Sequence, residues 1–255
     1  MSQRWPHERD TTLEAEVVDA SGGGLTISGP GVDWRDWANE LPSAERSRST
    51  DAACRALDIA ASVLLLVVLS PLLLAIAIAI RIDSPGSPIF RQRRVGRDLR
   101  PFTVNKFRTM RSGAGDAPHR DYVLRLIADH RHRGAARPML KLSGDQRVTR
   151  LGHFLRRSSL DELPQLWNVL RGEMSLVGPR PPIPYEVENY PLEWMARFVV
   201  KPGVTGLWQV SGRSERTLAE MIALDLEYTR RRSVRFNLEI LLRTIPTVLN
   251  RRGAA

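Results

Sequence analysis

The chain has 255 residues, with 38 Lys or Arg against 28 Asp or Glu and a formal net charge of +10. That length allows one substantial domain with a sizeable core. A single cysteine, Cys54, excludes a disulfide framework and a Cys-rich zinc module; no HExxH, GxxxxGKS/T or GxGxxG pattern occurs.

Residues 1–50 hold 5 Arg and 9 Asp or Glu, a net of −4, so the remainder carries +14. With scattered Gly, Pro and Ser and little periodicity, this stretch reads as a polar, disordered tail, in which Trp5, Trp34 and Trp37 suit a short docking element. Composition then changes abruptly. Ile59 to Ile80 is a run of 22 residues without a charge. As a straight helix it would be roughly 33 Å long, about the hydrocarbon thickness of a bilayer. It lies too far from the N-terminus to be a signal peptide. In its middle stands Ser70-Pro71. Pro71 lacks the N–H that would bond Val67 and crowds that carbonyl, whereas the Ser70 hydroxyl can reach the freed backbone. A kinked span and a re-entrant hairpin returning to one face both fit. Arg81, Arg91, Arg93, Arg94 and Arg97 put the C-terminal flank on the cytoplasmic side, and Arg46, Arg48 and Arg55 favour the same side for the other flank.

Beyond the apolar run, Ile89–Met110 alternates and is interrupted by Gly96-Arg97-Asp98, which predicts a hairpin. Helical spacing is expected over Asp116–His132, with Tyr122, Leu126 and Ile127 on one side, and over Asp161–Leu170, Pro184–Phe198 and Leu218–Arg231. A last helix near Phe236–Leu249 gathers Phe236, Ile240, Leu241, Ile245, Val248 and Leu249. That stripe suits either the membrane interface or the core.

The densest stretch for chemistry is Arg156-Arg157-Ser158-Ser159-Leu160-Asp161-Glu162-Leu163-Pro164-Gln165. Ser159-x-x-Glu162 fits a plain capping box. The same stretch also fits a phosphate site at a helix start, where a carboxylate has its pKa pulled down, stays ionised and serves as metal ligand or nucleophile. Adjacent carboxylates on a helix point about 100° apart, which disfavours a glycosidase pair flanking a bond. Lys106 and Arg108 alternate on a strand, hence share a face. Gly144–Thr149 is a polar turn containing Asp145 and Arg147. Gly178-Pro179-Arg180-Pro181-Pro182 is a stiff arch that can hold Arg180 against an anion, and Lys201–Val210 is a Gly-rich loop entering a short strand. Taken singly, each of these reads first as a turn or a surface charge.

Together they carry a resemblance. Lys106–Met110, Ser159–Gln165, Gly172–Pro182 and Pro202–Val210 follow in order behind a Ser-Pro-broken apolar segment, and SLDELPQ followed by GEMSLVGPRP is a specific string. From about Cys54 to Asn250 the chain resembles the bacterial sugar transferases, the monotopic phosphoglycosyl transferases. The resemblance implies a mainly α protein with a small β-hairpin and interfacial amphipathic helices. Residues 1–50 would be the tail, 51–82 a re-entrant membrane helix broken at Ser70 and Pro71, and 83–255 a catalytic domain on the cytoplasmic face of the inner membrane. It also implies transfer of a hexose 1-phosphate from a UDP-hexose to undecaprenyl phosphate, with release of UMP. Asp161 would form a covalent phospho-sugar intermediate, Glu162 would complete the dyad, and both would hold Mg²⁺. Lys106, Arg108 and Arg156 match basic positions expected to hold phosphates. Gln165, Pro179, Arg180 and Pro181 match substrate-binding positions, as do Asp145 and Arg147, whose roles the resemblance does not define. The Gly113–Pro138 insert is longer than in the smallest members and resembles that of exopolysaccharide-initiating enzymes, while the long tail stands where large members have a multi-span N-terminal half.

The calculated pI near 10.8 raises nucleic-acid binding as an alternative. The basic residues are dispersed rather than gathered on one helix, and anionic lipid accounts for them equally. The expected partners are therefore UDP-hexose, undecaprenyl phosphate and inner-membrane lipid, with no nucleic acid. A homo-oligomer is compatible with all of this.

Overall fold

Helix α1 (Arg48–Val68) ends where Pro71 removes a backbone donor, and α2 (Ser70–Asp83) departs at 63° from it. The Ser70 hydroxyl donates to Val67 O at 2.8 Å, taking the carbonyl that the proline leaves without a helical partner. No single helix among the described residues is long and apolar enough to cross a membrane, but this bent pair is when taken together. The structure, a computed structural model, describes residues 48–111, 117–133, 147–212 and 216–250. Most of the tail, with Trp5, Trp34 and Trp37, and also Asp145 and both ends of the insert, lie outside the described residues.

Both ends of the bent pair are tied to the same folded body. Near the start of α1, Arg55 donates to the carbonyls of Val169 and Leu170, and Asp58 accepts from Ser175 Oγ at 3.0 Å and Leu176 N at 2.8 Å. At the end of α2, Ile76 and Ile80 pack with Phe107 and Leu155. Between these anchors, Leu64, Val67, Val68, Leu74 and Ile78 are left exposed.

The hairpin is the expected one. β1 (Ile89–Val95) pairs antiparallel with β2 (Pro101–Phe107), with Phe90 opposite Lys106 and Gln92 opposite Val104. Next come α3 (Ala117–Arg133), α4 (Arg150–Ser158), a 3-10 turn (Leu160–Glu162) and α5 (Gln165–Arg171). β3 (Ser175–Val177) pairs parallel with β4 (Gly203–Thr205), a second small sheet whose pairing the sequence did not reveal. Between them lie α6 (Pro184–Val187) and a 3-10 segment (Leu192–Val199); α7 (Leu207–Val210), α8 (Leu218–Arg231) and α9 (Val234–Leu249) complete the chain.

Two expected helices are corrected. Asp161–Leu170 is split, because α5 begins only after Pro164. Pro184–Phe198 is split at Tyr190-Pro191, since a residue before proline is steered away from helical backbone.

One core packs α8 and the Leu192–Val199 segment against Val123 and Ile127 of α3 and Val95 and Leu99 of the hairpin. A second joins Val104, Leu166, Val169, Leu176, Val177, Tyr228, Phe236 and Ile240. α9 buries Phe236 and Ile240 and exposes Leu238, Leu242, Ile245 and Leu249, so an apolar stripe faces outward beside α1.

Candidate active site

Strand alternation places Gln92, Arg94, Val104 and Lys106 on one face of the hairpin. The Leu160–Glu162 turn packs on β2, and Lys106 Nζ donates to Glu162 Oε1 at 2.7 Å. Gln165, buried at the first position of α5, donates its amide to Glu162 Oε2. Both oxygens of Glu162 are therefore occupied. The Asp161 carboxylate forms no ion pair among the described residues; it accepts from its own backbone N–H and sits within the field of Lys106 and Arg156.

Ser159 does not cap this turn. It adopts left-handed backbone (φ 57°) and ends α4, while Glu162 reaches Lys106 instead of back to Ser159. The capping-box reading is thereby corrected, and so is the expected depression of the Asp161 pKa. Asp161 lies on a 3-10 turn ahead of α5 rather than on the first turn of an α-helix. Burial, and then the charge of Glu162, push its carboxyl up to about 6 against the pull of Lys106 and Arg156. Burial also pushes Glu162 upward, but the charge and hydrogen bond of Lys106 outweigh it, with help from Arg180 and Arg94, and hold that carboxyl below its usual range. The two neighbours thus have divergent protonation behaviour.

Several elements bring cations to the pair. Arg156 Nε donates to Thr109 Oγ1 at 2.9 Å, fixing the α4 guanidinium against the end of the hairpin. The Pro179–Pro182 arch is fastened to β1: Val95 N donates to Pro182 O and Arg94 donates to Pro181 O, both at 2.9 Å. Arg94 also donates to Gln92 Oε1 at 2.7 Å; burial, and then Arg180, lower its pKa to about 10. The other end of the arch rests on β4, where Gly203 N donates to Pro179 O and Gly178 N to Thr205 O. A Cβ on Gly178 would lie 2.4 Å from Lys201 O and one on Gly203 would lie 2.0 Å from Gly178 N, so neither position tolerates a side chain. The GPRPP and KPGVTG stretches form one interlocked support. Behind it, Arg197 and Asp225 form a buried ion pair, and Arg197 donates to Arg180 O at 2.8 Å.

Of the expected residues, Lys106, Arg156, Asp161, Glu162, Gln165 and Arg180 converge. Pro179 and Pro181 contribute backbone acceptors. Arg147 O accepts from Arg111 N beside the end of the hairpin. Arg108 points elsewhere: it donates to Pro85 O, Ser84 O and Ser84 Oγ, holding the exit of α2. Alternation from Lys106 does not extend to it because β2 ends at Phe107.

Sequence reading missed Arg94, Thr109 and Asn168. Arg94 shares the hairpin face of Lys106, a signal available from register alone. The Asn168 amide accepts from Asn105 N at 3.0 Å and donates to Thr103 O at 2.7 Å, covering the open edge of β2 as a neighbouring peptide would. It thereby locks α5, and the dyad ahead of it, to the strand carrying Lys106.

No cluster of three or more His, Cys, Asp or Glu suited to a metal occurs among the described residues. A pair of carboxylates suits Mg²⁺, which keeps waters and is commonly held by one or two carboxylates plus substrate phosphates. Asp161 offers the more open oxygens, since Lys106 and Gln165 already occupy Glu162.

A family model described as bacterial sugar transferase matches residues 49–251. A UDP-galactose-lipid carrier transferase from Erwinia amylovora is 43% identical over 200 residues, covering 78% of this chain and 41% of that protein. The exopolysaccharide production protein ExoY of Sinorhizobium fredii is 40% identical over 202 residues, 78% of this chain and 87% of the relative. A UDP-glucose:undecaprenyl-phosphate glucose-1-phosphate transferase from Caulobacter vibrioides is 41% identical over 209 residues, 79% and 71% respectively. The chain thus spans about two fifths of the length of the Erwinia relative and most of the other two.

Proposed function

The chain belongs to the bacterial sugar transferase family, and on that premise we propose that it transfers a hexose 1-phosphate from a UDP-hexose to undecaprenyl phosphate in two displacements. In the first, an Asp161 oxygen attacks the phosphorus bearing the sugar. An O–P bond forms, the bond to the bridging oxygen breaks, and UMP leaves with that electron pair. In the second, an oxygen of undecaprenyl phosphate attacks the same phosphorus. The aspartyl–phosphate bond breaks, the Asp161 carboxylate is restored, and undecaprenyl diphosphate hexose results. The product starts a surface polysaccharide, in keeping with the exopolysaccharide name of the Sinorhizobium relative.

The observation that carries this reading is the unequal pair. Glu162 is held at both oxygens, whereas Asp161 is left available with its carboxyl raised to about 6. A carboxylate of raised pKa is the stronger nucleophile of the two yet remains mostly ionised at neutral pH. Lys106, Arg156, Arg180 and Arg94 surround two carboxylates with four cations, a balance suited to diphosphate and phosphate substrates. Mg²⁺ held by Asp161 and Glu162 would neutralise phosphate charge when bound; positioning falls to the chain's own residues.

The bent α1–α2 pair is proposed as a re-entrant element on the cytoplasmic face of the inner membrane. Docking of both its ends on one body supports that topology, and the outward stripe of α9 suits the interface. The test is intact mass after incubation with UDP-hexose alone, in a preparation that turns over when the lipid is added. A hexose-phosphate adduct on the wild-type chain and none on Asp161→Asn is expected; no adduct on an active wild-type chain refutes the covalent step.

A further inference from the structure

A cavity of about 840 Å³ opens on the opposite face of the hairpin from Lys106. Arg91, Thr103 and Asn105 lie on that face, because strand side chains alternate and Arg91 pairs with Asn105. Trp167 and Arg171 of α5, one helical turn apart, form a second wall. The β1–β2 turn, with Arg97, Asp98 and Arg100, forms a third, and Lys201 closes the floor beside Gly172. Neither Asp161, Glu162, Lys106, Arg94 nor Arg180 lines it.

Its charge is unbalanced. Five cations (Arg91, Arg97, Arg100, Arg171 and Lys201) meet two carboxylates. Both carboxylates are already engaged, Asp98 with Arg97 at 3.6 Å and Glu173 with Arg171 at 3.7 Å. Arg91, Arg100 and Lys201 form no ion pair among the described residues. Like charge is crowded further at the floor: a Cβ on Gly172 would lie 3.5 Å from the Arg55 guanidinium and 3.6 Å from Lys201 Nζ. Burial, and then Arg55, lower the Lys201 pKa. Trp167 is 55% exposed here, a large flat apolar surface that packing inside the chain does not use.

Uncompensated cations in a concave site with an aromatic wall match a phosphate group attached to an organic body. We propose that this cavity is a second anion site, binding a phosphate-bearing ligand separately from the Asp161 centre. The phosphate sits among Arg91, Arg100 and Lys201, and Trp167 covers its organic portion. Acidic phospholipid and soluble phosphate compounds share this chemistry. The inference does not rest on the proposed reaction.

The test uses the full chain and the triple substitution Arg91→Gln, Arg100→Gln and Lys201→Gln, none of which touches the dyad. In neutral detergent, calorimetric titration with inorganic pyrophosphate reads the soluble source. In nanodiscs, Trp167 emission with and without phosphatidylglycerol reads the lipid source, with Trp167→Phe as the blank. The wild-type response in at least one arm is expected to weaken about tenfold or more in the triple variant. Binding at the dyad is common to both proteins and cancels in the comparison. Loss confined to one arm assigns the source. Equal responses of the two proteins in both arms, or no wild-type response in either, overturn the proposal. Arg91→Gln alone, at an exposed strand position, is the second variant should the triple substitution unfold the chain; it is expected to weaken the same response by several-fold.

Discussion

Replacing Lys106 with Met keeps an unbranched stem and deletes a charge that acts on both carboxylates. The ammonium lies 2.7 Å from Glu162 Oε1 and also pulls down the carboxyl of Asp161. An opposite charge this close shifts a carboxyl by about 1–3 pKa units. Its loss therefore raises both groups. In the proposed mechanism Asp161 attacks as the ionised carboxylate, so kcat/KM falls as pH drops through the apparent pKa of the pair, near 6 for Asp161. In Lys106→Met that midpoint moves upward by about 1 unit or more. At pH 7 the ionised fraction then falls from about nine-tenths to about one-half, a loss of only about twofold. Any further loss on the alkaline plateau measures the contact that Lys106 is proposed to make with a substrate phosphate. The assay is UMP release under kcat/KM conditions from about pH 5 to about pH 9. A lowered plateau with an unmoved midpoint would refute the electrostatic link between Lys106 and the dyad.

Chelation with EDTA should abolish UMP release and Mg²⁺ should restore it; undiminished turnover in chelator removes the metal from the proposal. Gly178→Ala forces a methyl to within 2.4 Å of Lys201 O, so the arch must move; a loss of about 1–3 kcal/mol in unfolding free energy is expected, together with lost activity. Asp161→Asn should abolish activity without weakening the fold. The folded Asp161 carboxyl is raised from 3.8 to about 6, so stability from its protonated form is present below pH 4 and lost as pH rises through 6. Wild type should therefore melt at or below the Asp161→Asn temperature above that window, and a large fall in Tm for the variant would contradict this. Cysteine labelling at positions 2 and 250 should place both on the cytoplasmic side, whereas opposite sides would mean a true span.

Elements whose signal is local were legible in the sequence. Alternation with Gly96-Arg97-Asp98 predicted the hairpin, and Ser70-Pro71 predicted the break together with the Ser70 back-bond. The dyad was found as a string, but its geometry was not. Ser159-x-x-Glu162 satisfies the capping spacing, yet the competing Lys106 partner sits 56 positions away and is brought close only by folding. The Ser175–Val177 and Gly203–Thr205 strands have three residues each, too short for period-2 patterning to register. Their pairing nevertheless supports the Arg180 arch. Asn168 looked like an ordinary residue of a short helix; its role depends on the open edge of β2, which no spacing within its own segment reports.

The position of the break follows from what its two ends must reach. A continuous helix from Arg55 to Ile80 would separate those residues by about 38 Å. In the structure Arg55 holds the C-terminal carbonyls of α5, the helix that begins directly after the dyad turn, and Ile80 packs on Phe107, the neighbour of Lys106. Both sides of the candidate site are therefore fastened to opposite ends of one apolar element that bends by 63° between the two attachments. Arg108 strengthens the second attachment by donating to Ser84 and Pro85 at the exit of α2. On the proposed re-entrant topology, the depth of the bend in lipid sets the height of Asp161 above the membrane surface. In the proposed mechanism, an acceptor whose phosphate cannot leave that surface then meets Asp161 only if the bend is kept, so straightening the pair should cost the second displacement before the first.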